Sequence, residues 1–149
     1  MELTIGELAD GAVEDAWVSV SFLDAKKFFN IFNTLDPGGV VTLLRNDGGV
    51  LKAQVDGYAD FGGGSTQRTL MVKTLDADVG EAFAIRLKRD AVSGKWGYYV
   101  NGTRLDTGGE LDDLPGGLFD GKNVYVVVGL HNANGGLTSF TVKRISSGE

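Results

Sequence analysis

At 149 residues the chain is long enough for one domain with a full core and cramped for two. A net charge of −6 without any cluster of Lys and Arg excludes a nucleic-acid surface, which needs grouped cations, and the lack of cysteine excludes disulfides, thiolate metal sites and cysteine nucleophiles. A hydrophobic content of 42%, with only two prolines and no apolar run of membrane-spanning length, predicts a soluble folded unit with no membrane partner.

Residues 2–8 read as a short first edge strand, and the acidic run to Asp15 as a loop. In 16–23, Val18, Val20 and Phe22 alternate with Trp17, Ser19 and Ser21, so Trp17 falls on the side opposite the aliphatic residues. Residues 26–35 carry Phe28, Phe29, Ile31, Phe32 and Leu35, which fit a helical stripe after an Asp24 cap but are also strongly β-forming; a strand, or at most one short helix turn, is expected. Asp36-Pro37-Gly38-Gly39 is a turn, 40–45 a strand, and Asn46-Asp47-Gly48-Gly49 a hairpin turn. The return strand, 50–58, points Leu51, Ala53 and Val55 inward and Lys52, Gln54, Asp56 and Tyr58 outward. A loop at 62–65, a strand at 68–75 and a turn at 76–81 lead into 82–89, where Phe83, Ile85 and Leu87 alternate with Ala84, Arg86 and Lys88.

Residues 95–105, Lys-Trp-Gly-Tyr-Tyr-Val-Asn-Gly-Thr-Arg-Leu, organise the rest. Asn101 and Gly102 supply the two left-handed positions of a type I′ turn between residues suited to strands, which predicts a β-hairpin. Trp96, Tyr98 and Val100 share one parity and read as core. The polar, Gly-rich stretch 106–121 is the longest loop, with Phe119 as an anchor, and 123–131 is a nearly continuous apolar strand expected in the middle of a sheet. After a turn at 132–136, residues 137–145 form the last strand. Ten to twelve short strands without a sustained helix or an internal repeat predict an all-β antiparallel β-sandwich, closed as a jelly roll, in a single domain over 1–149.

The strand ending in Tyr99-Val100-Asn101-Gly102, with the strand before it and the short return after it, resembles the pattern of the concanavalin A-like lectin and glucanase sandwiches. In architecture and face chemistry the chain resembles a bacterial carbohydrate-binding module. The resemblance implies a polysaccharide or oligosaccharide ligand, held in a cleft on one sheet or in a loop-lined pocket. It further implies a monomeric module tethered to a catalytic domain of a secreted, plant cell-wall-degrading protein, extracellular or at the cell surface.

Sorting the strands by face supplies candidates. The side opposite the aliphatic residues collects Trp17, Ser19, Ser21, Gln54, Tyr58, Arg86, Tyr99, Asn101, Tyr125, His131, Ser139 and Thr141. Aromatic rings stack on the apolar faces of pyranoses, and Gln, Asn, Arg and His hydrogen-bond hydroxyls. The ligand-binding set is therefore Trp17, Gln54, Tyr58, Arg86, Tyr99, Asn101, Tyr125 and His131, with Gly129 allowing a close approach to the backbone. A neutral β-glucan such as cellulose-like glucan, xyloglucan or mixed-linkage glucan is the expected ligand, since an acidic chain repels polyuronates.

A retaining glucanase needs two carboxylates about 5 Å apart, presented from one strand face. The strands lack that alternation; Glu110, Asp112 and Asp113 fall in a loop, and His131 has no Ser or Cys partner, so no catalysis is expected. Asp76-Ala77-Asp78-Val79-Gly80-Glu81 groups three carboxylates but lacks the full calcium-loop pattern, and a plain turn is expected. Similar sandwiches hold structural calcium, for which the resemblance offers loop carbonyls near Asp106 or Asp120, but no metal residue is assigned and no cofactor is expected. The competing expectation is a structural or protein-interaction sandwich, such as an adhesin or scaffold domain.

Overall fold

The computed structural model describes residues 2–7, 16–24, 38–48, 50–63, 66–76, 82–132 and 139–144. They contain ten strands: β1 (Glu2–Glu7), β2 (Ala16–Leu23), β3 (Gly39–Asp47), β4 (Val50–Tyr58), β5 (Arg68–Thr74), β6 (Ala82–Arg89), β7 (Trp96–Val100), β8 (Thr103–Arg104), β9 (Tyr125–Asn132) and β10 (Ser139–Arg144). All pairings are antiparallel and build two five-stranded sheets, ordered β10-β1-β6-β7-β8 and β5-β4-β3-β2-β9. The first strand pairs with the last and the second with the ninth, the nested wrap of a jelly roll. The described residues include no helix, and the ambiguous run 26–35 lies outside them.

Period-two alternation makes the core. Val18, Val20, Val40, Leu44, Ala53, Val55 and Met71 from one sheet face Ile85, Trp96, Tyr98 and Val100 from the other. The turn chemistry behaves as expected: Asn101 and Gly102 have φ of 50° and 81°, and Gly48 turns the β3–β4 hairpin at 63°. Thr42 and Tyr98 bring hydroxyls into the sandwich from opposite sheets; burial pushes the Tyr98 phenol's pKa well above its ordinary value, and the neighbouring Thr42 hydroxyl opposes part of that rise.

Two placements differ from expectation. β1 is not an edge strand but lies between β10 and β6. Conversely β9, expected mid-sheet, is an edge strand beside β2. Its apolar run reflects cover on both faces, with Val126 and Val128 against the main core and Val127 against a second cluster. Side-chain pattern reports how many faces are covered; it says nothing of how many strands flank the backbone.

The long connection from β8 to β9 closes one end of the sandwich. Leu111, Leu114 and Leu118 are buried in the core, and Phe119 meets Trp96 edge to face at 5.6 Å and 86°. Trp96 Nε1 donates to the Pro115 carbonyl at 2.9 Å. Ion pairs tie the same connection to β5, to β6 and to the β6–β7 turn, joining Glu110 to Lys73, Asp112 to Lys95, Asp113 to Arg68 and Asp120 to Arg89. Gly57 makes room for it: a Cβ there would lie 2.9 Å from both Leu114 Cδ2 and Phe61 Cζ. Gly57→Ala is therefore expected to cost about 1–3 kcal/mol, read as a lower thermal midpoint with faster proteolysis within 105–124.

Candidate functional site

The eight predicted ligand-binding residues do not share one face. Trp17, Gln54, Tyr58, Tyr125 and His131 belong to β2, β4 and β9 of one sheet, whereas Arg86 and Tyr99 sit on β6 and β7 of the other, and Asn101 in the turn that follows β7. The core separates the two groups, so no single cleft collects them.

Trp17, Gln54, Tyr58 and Tyr125 of the first group lie opposite the aliphatic core, as the alternation predicts, but the middle of that face is covered. Trp17 is 5% exposed and packs with Leu23, Val41, Leu43 and Tyr58 in a second apolar cluster. Ser19, Ser21 and Tyr58 are equally inaccessible. Trp17 and Tyr58 are thus packing residues here rather than exposed stacking platforms; parity assigns a side chain to a face without stating whether the face is covered. Gly129 is paired with Ser19, whose Oγ lies 2.7 Å from where a Cβ would stand, so the space expected for a ligand holds that hydroxyl. Gln54 Nε2 donates to both oxygens of Asp56 at 3.2 Å. Tyr125 is half-buried, and His131 is placed by its backbone pairing with Trp17.

Asp56 is the buried charged group among the described residues of this face. Burial pushes its pKa up, against hydrogen bonds from Thr69 and Gln54, and its charge adds to the burial that raises the Tyr58 phenol. A carboxyl with a folded pKa above its unfolded one binds more protons when folded, so its ionisation costs stability as pH rises through the window above the ordinary carboxylate range.

The second group is open. Register aligns Arg86 with Tyr99 and Tyr99 with Arg104, and Lys88 with Gly97, while Ile85, Leu87, Tyr98 and Val100 take the inner positions. Arg86, Lys88 and Arg104 are exposed and Tyr99 is half-exposed. The tyrosine leans along β7 onto Gly97, where a Cβ would stand 2.9 Å from its Cε2 and 3.1 Å from its hydroxyl oxygen. Around it lies a shallow pocket of about 260 Å³ lined by Lys88, Asp90, Ser93, Lys95, Trp96, Gly97, Tyr99 and Arg104.

Two devices hold this pocket in shape. Asp90 Oδ1 accepts from the backbone of Val92 and Ser93 and from the Ser93 hydroxyl, fixing the β6–β7 turn and holding the Asp90 carboxyl below the ordinary range. Asp106, 1% exposed, accepts the Tyr98 amide at 2.7 Å and the Arg104 guanidinium at 2.8 Å, and Arg104 Nη2 also donates to the Trp96 carbonyl. Asn101 serves the turn itself, its Oδ1 accepting the Ala84 amide at 2.8 Å. Sequence reasoning found Arg86 and Tyr99 but missed Lys88, Lys95, Gly97 and Arg104; the parity of Lys88 with Arg86, and of Gly97 with Tyr99, was the available signal.

Glu110, Asp112 and Asp113 are each engaged by a cation, and Lys73 holds the Glu110 carboxyl below its ordinary range, opposite to what a general acid requires. Among the described residues no three His, Cys, Asp or Glu side chains group as metal ligands, and residues 77–81 lie outside the described set. Asp106 and Asp120 have guanidinium partners.

Asp56→Asn keeps the acceptor for Gln54 without the buried charge. The thermal midpoint at pH 7 is expected to rise by roughly 2–4 °C, for about 1 kcal/mol, and the gain should vanish near pH 3, below the ordinary aspartate pKa of about 3.9. No protein-family model, curated protein or solved structure matches the chain.

Proposed function

We propose that this chain is a non-catalytic carbohydrate-binding module that reads a polysaccharide through the outer face of β6, β7 and β8, as part of a secreted protein acting on plant cell walls. The observation that carries the reading is Tyr99: a half-exposed ring braced on Gly97, in a pocket edged by hydrogen-bond donors from Lys88, Ser93, Lys95 and Arg104. A ring at such a place offers a flat apolar surface to a pyranose, and the surrounding donors reach hydroxyl oxygens. The pocket lies below the roughly 300–1,000 Å³ of drug-sized sites, a size for one sugar unit of a longer chain. Cellulose-like glucan, xyloglucan and mixed-linkage glucan, the ligands expected from composition, are the first chains to compare.

Affinity electrophoresis against a panel of soluble polysaccharides tests the reading. Retardation by at least one glycan is expected, and Tyr99→Ala should weaken it by roughly tenfold to a hundredfold with little change in thermal midpoint, since the ring is not part of the core. An unretarded protein on every glycan removes the proposal.

One observation favours the competing reading of a self-associating structural sandwich. Val72 on the edge strand β5 and Leu130 on the edge strand β9 are 47% and 49% exposed, and exposed apolar edges invite strand pairing between molecules. On the module reading the mass measured by sedimentation stays monomeric across the concentration range; growth of that mass, without any glycan binding, would favour the structural role.

A further inference from the structure

The chain's overall charge is a poor guide to what this face meets. At about 0.1 M salt charges beyond roughly 10 Å are screened, so a ligand over Tyr99 senses the side chains beside it. Those side chains are cationic. One cross-strand row runs Arg86, Tyr99, Arg104, and the next sets Lys88 against Gly97, with Lys95 at the adjoining end of the pocket. The outward positions of β6, β7 and β8 from Ala84 to Arg104 bear no carboxylate. Adjacent strands lie about 5 Å apart, so Arg86 and Arg104 stand about 10 Å from each other with the ring between them.

The cations divide into two kinds. Arg104 and Lys95 are anchored, by Asp106 and by Asp112. Arg86 and Lys88 make no ion pair with a described carboxylate, whereas Lys52, Arg68, Lys73, Arg89 and Lys122 each do. Arg86 and Lys88 stand two positions apart on β6, about 7 Å, so their charges repel; Asp90 offsets part of the Lys88 charge, and a bound anion between the two relieves the rest. The uncharged amides that suit a neutral sugar are elsewhere: Gln54 is on the opposite sheet, and Asn101 Oδ1 is taken by the Ala84 amide. Asp90, the carboxylate of the pocket lining, spends its Oδ1 on the turn at Val92 and Ser93.

Resting on the glycan-binding reading above, we infer that the sugar read at this face carries an anionic group, a uronate carboxylate or a sulfate ester, with its ring on Tyr99 and its anion between Arg86 and Lys88. Guanidinium and ammonium groups make charge-assisted hydrogen bonds to carboxylate and sulfate, and Arg does so in bidentate fashion. This narrows the ligand away from purely neutral glucans.

Titration calorimetry of the intact chain at low salt tests the inference with a neutral cello-oligosaccharide, an oligouronate, a sulfated oligosaccharide and polyglutamate. Oligouronate or sulfated sugar is expected to bind at least about tenfold more tightly than the neutral one, with affinity falling as salt rises. Arg86→Gln and Lys88→Gln should each weaken that binding by about tenfold at unchanged thermal midpoint. Whichever acidic sugar binds more tightly identifies carboxylate or sulfate as the group read. Neutral and acidic sugars binding alike would overturn the inference while leaving glycan recognition standing, whereas no sugar binding at all would remove both. Polyglutamate binding as tightly as the acidic sugars, or binding unaffected in the folded Arg86→Gln and Lys88→Gln proteins, would also overturn it.

Discussion

The open face depends on one buried carboxylate. Asp106 follows the two-residue strand β8 and is almost wholly removed from water, a placement that costs several kcal/mol unless partners compensate. It has them in the Tyr98 amide and the Arg104 guanidinium, while the Leu105 amide bonds the Tyr98 carbonyl beside it. Both polar groups of the Tyr98 backbone are thereby satisfied at the edge of the sheet, where β8 is ending. The side chain of Tyr98 can then point into the core and that of Tyr99 out of it. A short edge strand is held in place by charge, and the same contact aims Arg104 across β7.

The two outer faces of the sandwich have diverged. One is packed a second time, with Trp17, Val41, Leu43 and Tyr58 making a satellite cluster around buried serines and Asp56. The other shows an alternation of inner hydrophobes with outer cations and a tyrosine, the pattern of an antiparallel sheet facing water. The connection from β8 to β9 joins them at one end. Its leucines enter the core between the sheets, and its carboxylates reach Lys73 and Arg68 of β5, Arg89 of β6 and Lys95 beside β7. Surface pairs of this kind contribute little singly. Their value here is in fixing where the leucines enter.

Much of the fold was legible because alternation and turn chemistry are local. The strand 82–89 and the Asn101-Gly102 turn needed only neighbouring residues to read, and the structure has both as expected. Candidate residues were harder. Trp17 was correctly placed opposite Val18 and Val20, but whether that side is open depends on contacts between distant parts of the chain. The same limit made β9 look central and β1 marginal: backbone neighbours leave no mark on side-chain period. The pairing of β7 with β6 that sets Arg86 beside Tyr99 joins strands adjacent in the chain across the short turn 90–95. What the hairpin did not reveal was that these two residues and Trp17 stand on opposite sides of a core.

The nested pairing of strands bears on how the molecule reaches this state. β2, β3, β4 and β5 form a meander whose partners are adjacent in the chain, and β6, β7 and β8 form another. The pairings of β1 with β10 and of the far edge of β2 with β9, by contrast, form only across more than a hundred residues. Closing such large loops spends chain entropy before any contact repays it, which slows folding. The two meanders are thus the natural early units, and docking of the outer strands the late step. During synthesis β1 waits for β10 while more than a hundred residues are added, and the edge that β10 will cover must avoid other chains until then.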